Sequence, residues 1–198
     1  MTKNNGYILN VSTSLNGGCV WQIVGGNGSG KTSLLYQILY GQEGHSASVT
    51  YAGYPASRLA SGALSYSFLY PKWTVEDNLK YFIGVNSKGV SSLPYACQLI
   101  PADWLKRKTF QLSEAENKII SITILLEAGG GLLVLDELDS CFDDENLQKV
   151  INVLHSWVNA KSPRIAIVAV KNKIQTIENT LFLVKDYTAK NTFFGAVH

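Results

Sequence analysis

The chain has 198 residues, 46% of them hydrophobic, enough to bury one sizeable core and at most a small satellite subdomain. Its 17 Lys and Arg residues against 15 Asp and Glu give a net charge of +2, with the basic residues scattered, which argues against a nucleic-acid or anionic-lipid partner. Cys19, Cys97 and Cys141 are odd in number without a C-x-x-C pair, and Met1 to Gly6 holds no apolar signal core; buried thiols in a reducing compartment, and no secretion, are expected.

In chain order, Tyr7, Leu9, Val11 and Leu15 recur at every second or fourth residue, which predicts a half-buried strand at an antiparallel edge. Asn16-Gly17-Gly18 turns the chain, and the near-continuous apolar run Cys19 to Val24 predicts a strand covered on both faces of a parallel sheet. After a glycine-rich loop, Leu34, Leu35, Ile38 and Leu39 stand at helical spacing, with Gly41 placed to end the helix. Gly53 to Pro101 mixes Gly, Pro, Ser and aromatics without a clear period, and reads as an inserted, partly helical segment, so that about 53–128 includes a helical insertion. A helix follows from Ser113 to about Ala128.

Ile119 to Leu135 is nearly apolar enough to suggest a membrane span. Glu127 and Gly129-Gly130-Gly131 interrupt it, so a helix ending at the glycines and a short buried strand Leu132 to Leu135 account for the same residues without placing a carboxylate in lipid. Solubility is expected. A helix with the stripe Leu147, Val150, Ile151, Leu154, Trp157 and Val158 comes next, then a buried strand Ile165 to Val170. The expectation is a single α/β domain over 1–198: a P-loop NTPase sandwich with a mainly parallel sheet, a small antiparallel edge and a short helical subdomain.

Gly25-Gly26-Asn27-Gly28-Ser29-Gly30-Lys31-Thr32 satisfies G-x-x-x-x-G-K-[ST] between a predicted strand and a predicted helix. Glycines let successive backbone N–H groups turn around phosphates, and a helix beginning near Lys31 adds its positive end. These residues with Ser33 form the candidate nucleotide-binding set, with Lys31 neutralising the terminal phosphates of ATP and the Thr32 hydroxyl ligating Mg²⁺. Leu132 to Leu135 then carries Asp136 and Glu137 at its C-terminal end, where ligands of open α/β sheets collect. Asp136 is the candidate for the Mg²⁺ shell and Glu137 for polarising the attacking water. Glu137 and Lys31 are thus the catalytic candidates.

Gly25 to Leu35, together with Leu135-Asp136-Glu137 and Ser140-Cys141-Phe142-Asp143 beyond it, resembles the ATP-binding-cassette ATPases. Val20-Trp21-Gln22-Ile23, Thr32-Ser33-Leu34-Leu35 and Thr74-Val75-Glu76-Asp77-Asn78-Leu79 look most like the ATPase subunit of the cytochrome c maturation haem exporter. The resemblance spans Ile8 to about Val170. It implies ATP and Mg²⁺ as cofactors and a second nucleotide-binding domain, as a homodimer in the complex. It also implies a polytopic membrane subunit as partner, no nucleic acid, and a peripheral place on the cytoplasmic face of the inner membrane, or on the matrix side in an organelle. Ser113 and Asp143 become dimer-interface candidates.

Where that family carries L-S-G-G-Q, this chain has Leu112-Ser113-Glu114-Ala115-Glu116. Locally, Ser113-x-x-Glu116 also reads as a capping box that starts a helix. The family's glutamine falls at Ser65 or Tyr66 and its switch histidine at Val170 or Lys171, and none of His45, His155 and His198 replaces it. Tyr7 is the candidate for stacking on adenine. The alternative to an ATP-hydrolysing transporter subunit is therefore a degenerate cassette that holds ATP structurally or as a regulator.

Overall fold

The computed structural model describes residues 8–10, 14–41, 50–63, 68–84, 89–161, 163–186 and 191–196. Its strands are β1 (Ile8–Asn10), β2 (Cys19–Val24), β3 (Thr50–Tyr51), β4 (Tyr54–Pro55), β5 (Ala60–Ala63), β6 (Leu132–Leu135), β7 (Ile165–Val170), β8 (Asn179–Asp186) and β9 (Asn191–Ala196). Its helices are α1 (Lys31–Tyr40), α2 (Val75–Ile83), α3 (Pro94–Leu99), α4 (Glu114–Ala128) and α5 (Asp144–Ala160). The main sheet runs β1-β9-β8-β2-β7-β6-β5, and β3 and β4 form a separate antiparallel pair. β5, β6, β7, β2 and β8 pair in parallel, which gives the expected α/β fold.

The apolar runs are buried on both faces because their alternate side chains enter different cores. Val20 and Val24 of β2, Leu133 and Leu135 of β6, and Ala166, Val168 and Val170 of β7 pack into one cluster with α4 and α5. Trp21 and Ile23, Leu132 and Val134, and Ile165, Ile167 and Ala169 face the other side, where α1 supplies Leu34, Leu35, Ile38 and Leu39. Helices thus cover both faces of the sheet. Trp157 of α5 is fully buried, and its indole N–H donates to the Leu126 carbonyl at 3.1 Å, joining α5 to α4.

Several expectations need correction. The antiparallel strand pair of the main sheet is β8 with β9, while β1 pairs with β9 in parallel. Leu15 lies beyond β1 and packs on the α1-side cluster; Tyr7 and Val11 are outside the described residues. The segment read as a helical insertion also supplies β5, the far edge of the main sheet. That strand is built of small residues because the sheet and α1 close tightly on it: a Cβ on Gly62 would meet the Val134 carbonyl oxygen at 2.7 Å. Nor are the cysteines all buried. Cys97 is exposed and Cys19 and Cys141 are half-buried, and all three are free thiols.

Glu127, the carboxylate that interrupts the apolar run, caps another helix. Its Oε1 accepts the backbone N–H groups of Tyr95 at 2.6 Å and Ala96 at 2.9 Å, in the first turn of α3. Burial pushes its carboxyl above the usual range, and the two N–H bonds oppose that rise. No described helix is long and apolar enough to cross a membrane.

Candidate functional site

β2 delivers the chain to the C-terminal edge of the sheet, where the Gly25 N–H donates to the Val170 carbonyl at 3.3 Å. The loop then turns through Gly28 (φ 72°) and Gly30 (φ 98°), a left-handed backbone that glycine adopts without strain. A Cβ at Gly26 or Gly28 would meet nothing within 4 Å, so the loop surrounds open space. Gly30 starts α1 with no side-chain cap, which leaves the first-turn N–H groups of the helix available to an anion. The Lys31 ammonium folds back over the loop, donating to the Gly25 carbonyl at 2.5 Å and the Gly26 carbonyl at 3.1 Å.

Asp136 leaves β6 beside this loop and is fully buried. Its Oδ2 accepts the Thr32 hydroxyl at 2.7 Å and its Oδ1 accepts the Glu137 N–H at 2.9 Å, while the Lys118 ammonium of α4 donates to its carbonyl at 2.6 Å. A buried carboxylate needs such partners. The next residue, Glu137, is exposed and holds φ 49°, a left-handed conformation unusual for a side chain with a Cβ. The turn around it is fixed on both sides: the Leu138 N–H donates to the Ala169 carbonyl at 3.1 Å, and the Ser140 hydroxyl to the Glu137 carbonyl at 2.9 Å.

The residues present match a triphosphate with a magnesium ion. Ser29 is 5% exposed and its Oγ has no hydrogen-bond partner, an orphan inside the loop that a phosphate oxygen would satisfy. Among the described residues no three His, Cys, Asp or Glu side chains converge. A Mg²⁺ ion is ordinarily held by one or two protein oxygens together with phosphates and water, and Thr32 and Asp136 supply such a pair.

The two interface candidates have local duties. The Ser113 hydroxyl accepts the Glu116 N–H at 3.2 Å and Glu116 Oε2 accepts the Ser113 N–H at 2.7 Å, a complete capping box at the start of α4. Arg107 pairs with Glu116 at 3.6 Å. Asp143 caps α5 through the Asn146 N–H at 2.8 Å. Lys171 directly follows β7, and His155 lies half-buried on α5. Tyr7, His45, Ser65, Tyr66 and His198 fall outside the described residues.

Three residues have roles that the sequence reading did not assign. Lys118 tethers α4 to Asp136. Asp139 accepts the Lys171 N–H at 3.1 and 2.9 Å and the Asn172 N–H at 3.0 Å. Gln22, fully buried in β2, donates to the Ile174 and Ile177 carbonyls at 2.9 and 2.6 Å and to Thr180 Oγ1 at 3.0 Å, and accepts the Ile174 N–H at 2.9 Å. A lone amide in an apolar strand signals a polar demand, but nothing local says what meets it.

Residues 8–140 match the ABC transporter family. The chain belongs to that family. It is 26% identical over 167 residues to ABC transporter I family member 10 of Arabidopsis thaliana, covering 81% of this chain and 60% of the relative, so it spans less than two thirds of that protein. It is 26% identical over 156 residues to the cytochrome c biogenesis ATP-binding export protein CcmA of Rickettsia bellii, covering 76% of this chain and 79% of the relative. The fold is also that of an ABC transporter ATP-binding protein from Pyrococcus furiosus, with a TM-score of 0.74 at 20% identity, covering 87% of this chain and 88% of that one.

Proposed function

We propose that this chain is an ATP-binding and ATP-hydrolysing subunit of an ABC-type membrane transporter, acting as one nucleotide-binding domain over 1–198. The observation that carries the reading is the Thr32–Asp136 hydrogen bond at the mouth of an uncapped helix. It joins the phosphate loop to the acidic strand end and sets two oxygen ligands side by side. The Gly25–Ser33 segment binds the phosphates through backbone N–H groups, and Lys31 leaves the Gly25 and Gly26 carbonyls to neutralise them. Thr32 and Asp136 would hold Mg²⁺, which would supply charge neutralisation for the phosphates. Glu137, outside the buried core and held by its turn, orients and polarises the attacking water.

Membership of the family supports a second nucleotide-binding domain and a polytopic membrane subunit as partners, with the chain peripheral on the cytoplasmic face of the membrane, or the matrix face in an organelle. The likeness to CcmA supports a finer reading, in which hydrolysis powers release of a haem-loaded chaperone during cytochrome c maturation. Mild detergent extraction, followed by identification of the co-purifying membrane protein, tests the assignment. A haem-handling membrane partner is expected, and a partner for another cargo would replace this finer reading.

A second reading, an ATP-holding clamp with little turnover, has a specific observation in its favour. The capping box already occupies N–H groups at the start of α4 with the Glu116 carboxylate and the Ser113 hydroxyl. Turnover by the complex above that of its Glu137→Gln form distinguishes hydrolysis from the clamp.

A further inference from the structure

Pairing of β6 with β7 ends at Leu135, and the chain leaves the sheet until the Leu138 N–H returns to it on the Ala169 carbonyl. The peptide between Asp136 and Glu137 stands in that gap, with no backbone partner for either of its polar groups. Side chains hold both instead. Its carbonyl accepts the Lys118 ammonium of α4 at 2.6 Å, and its N–H donates to Asp136 Oδ1 at 2.9 Å. Bonds to charged groups are the strong ones, so this peptide is clamped at both poles and its orientation is fixed. The residue that follows is Glu137, at φ 49°. A side chain with a Cβ keeps such a backbone only where its surroundings impose it.

Lys118 is half-buried and forms no ion pair among the described residues. Asp136 is fully buried, so its carbonyl needs a donor, and a plain strut between α4 and β6 would meet that need. A strut alone does not account for where the ammonium acts. Of all the peptides near α4, it holds the one whose rotation carries Glu137 into or out of its left-handed backbone. The half-buried Cys141 thiol, just beyond the turn, is pushed up by burial while the Lys118 charge opposes that rise, which places the ammonium close to the far side of the turn as well.

We infer that Lys118 is the positioning residue of Glu137: by holding the Asp136–Glu137 peptide it fixes the strained turn, and so fixes where the Glu137 carboxylate meets the attacking water. Lys118 touches neither nucleotide nor water. It acts through the peptide alone, and it ties the turn to α4, the helix that begins at the Ser113 cap. The inference rests on the reading of Glu137 as the residue that polarises water, and deepens it.

Two readouts test it: melting temperatures of the 198-residue chain, and steady-state phosphate release by the complex extracted in mild detergent. Wild type is compared with Lys118→Met, Lys118→Arg, Glu137→Gly and the Lys118→Met/Glu137→Gly double variant. Glu137→Gly should raise the melting temperature of wild type by relieving the left-handed backbone, but not that of Lys118→Met, where the peptide is already free to turn. In the complex, Lys118→Met should lower kcat by at least about tenfold with KM for ATP unchanged, as a misplaced base does. Lys118→Arg keeps the charge and the reach, and should recover most of the rate. A strut alone predicts that the two substitutions shift the melting temperature additively. Additive shifts therefore overturn the proposal, and so does a wild type that gains nothing from Glu137→Gly, since there is then no strained turn to hold. An unchanged kcat in folded Lys118→Met, or a loss that Lys118→Arg does not recover, overturns it as well. If Lys118→Met does not fold, Lys118→Gln, shorter and neutral, takes its place in every arm with the same expected results. A wild-type complex with no turnover above its Glu137→Gln form overturns the hydrolysis reading itself, and the melting temperatures then decide the hold of Lys118 on the turn by themselves.

Discussion

The hydroxyl of Thr32, in the first turn of α1, donates to Oδ2 of Asp136 at 2.7 Å across 104 residues of sequence. The two groups satisfy each other, and each is an oxygen that Mg²⁺ would take. Thr32→Val keeps the shape of the side chain and removes the donor. We expect a loss of about 1 kcal/mol in folding stability, since the buried Asp136 loses one partner and keeps the Glu137 N–H. The larger effect should be on the nucleotide: Mg²⁺ should no longer strengthen ATP binding. Titration with and without Mg²⁺ checks it, and unchanged Mg²⁺ dependence would remove Thr32 from the metal site.

Glu137→Gln should keep ATP binding and remove turnover, because the amide fills the same place but takes up no proton. Steady-state phosphate release from the complex checks the turnover. Glu137→Gly should stabilise the fold by about 1 kcal/mol, because a residue without Cβ relieves the left-handed backbone at φ 49°, and should likewise be inactive. A melting temperature for Glu137→Gly at or below wild type would show that the turn is not strained.

The start of α4 carries Glu114 and Glu116 in its first turn, with Glu116 committed to the Ser113 N–H. Two carboxylates near that helix start would oppose a triphosphate presented by a second copy of the chain. The isolated protein with Glu137→Gln should therefore stay monomeric with ATP, and pair only beside its membrane partner. Light scattering with and without ATP measures this, and a stable ATP-dependent dimer of the isolated chain would show the acidic helix start to be harmless.

Glu127 predicts a pH effect on stability. Burial raises its carboxyl above the usual 4.5, so the folded state binds this proton more tightly than the unfolded state does. Stability from this group is then fully present below pH 4.5 and is lost as pH rises through the shifted value. Glu127→Gln cannot ionise and can still accept an N–H of α3. Its melting temperature should gain on wild type between pH 4 and pH 7, and a difference constant across that range would rule out the burial effect.

The parts of the fold legible in the sequence are those fixed by short-range pattern. β6 and β7 are unbroken apolar runs, and β2 is one broken only by Gln22, because both faces are covered, and Ser113 with Glu116 forms its capping box within one helical turn. β5 was illegible because Ala60-Ser61-Gly62-Ala63 is small for a reason of packing, the close approach of Val134 and Leu39. The partner of β1 was illegible because pairing is decided by β9, at the other end of the chain. In the site, the loop and the acidic pair were visible as contiguous motifs. Asp139 was not, since its partners are backbone groups more than thirty residues away, and such groups leave no mark in side-chain composition.

The central claim is that Gly25 to Ser33 and Asp136 form one ATP site, with Lys31 supplying its principal charge. Equilibrium titration of ATP and Mg²⁺ into the 198-residue chain and into Lys31→Ala, both checked for folding by circular dichroism, tests it most directly. The account predicts saturable, Mg²⁺-dependent binding by wild type and no measurable binding by Lys31→Ala, because backbone N–H groups alone do not neutralise the terminal phosphates. Equal affinity in the two proteins would contradict it.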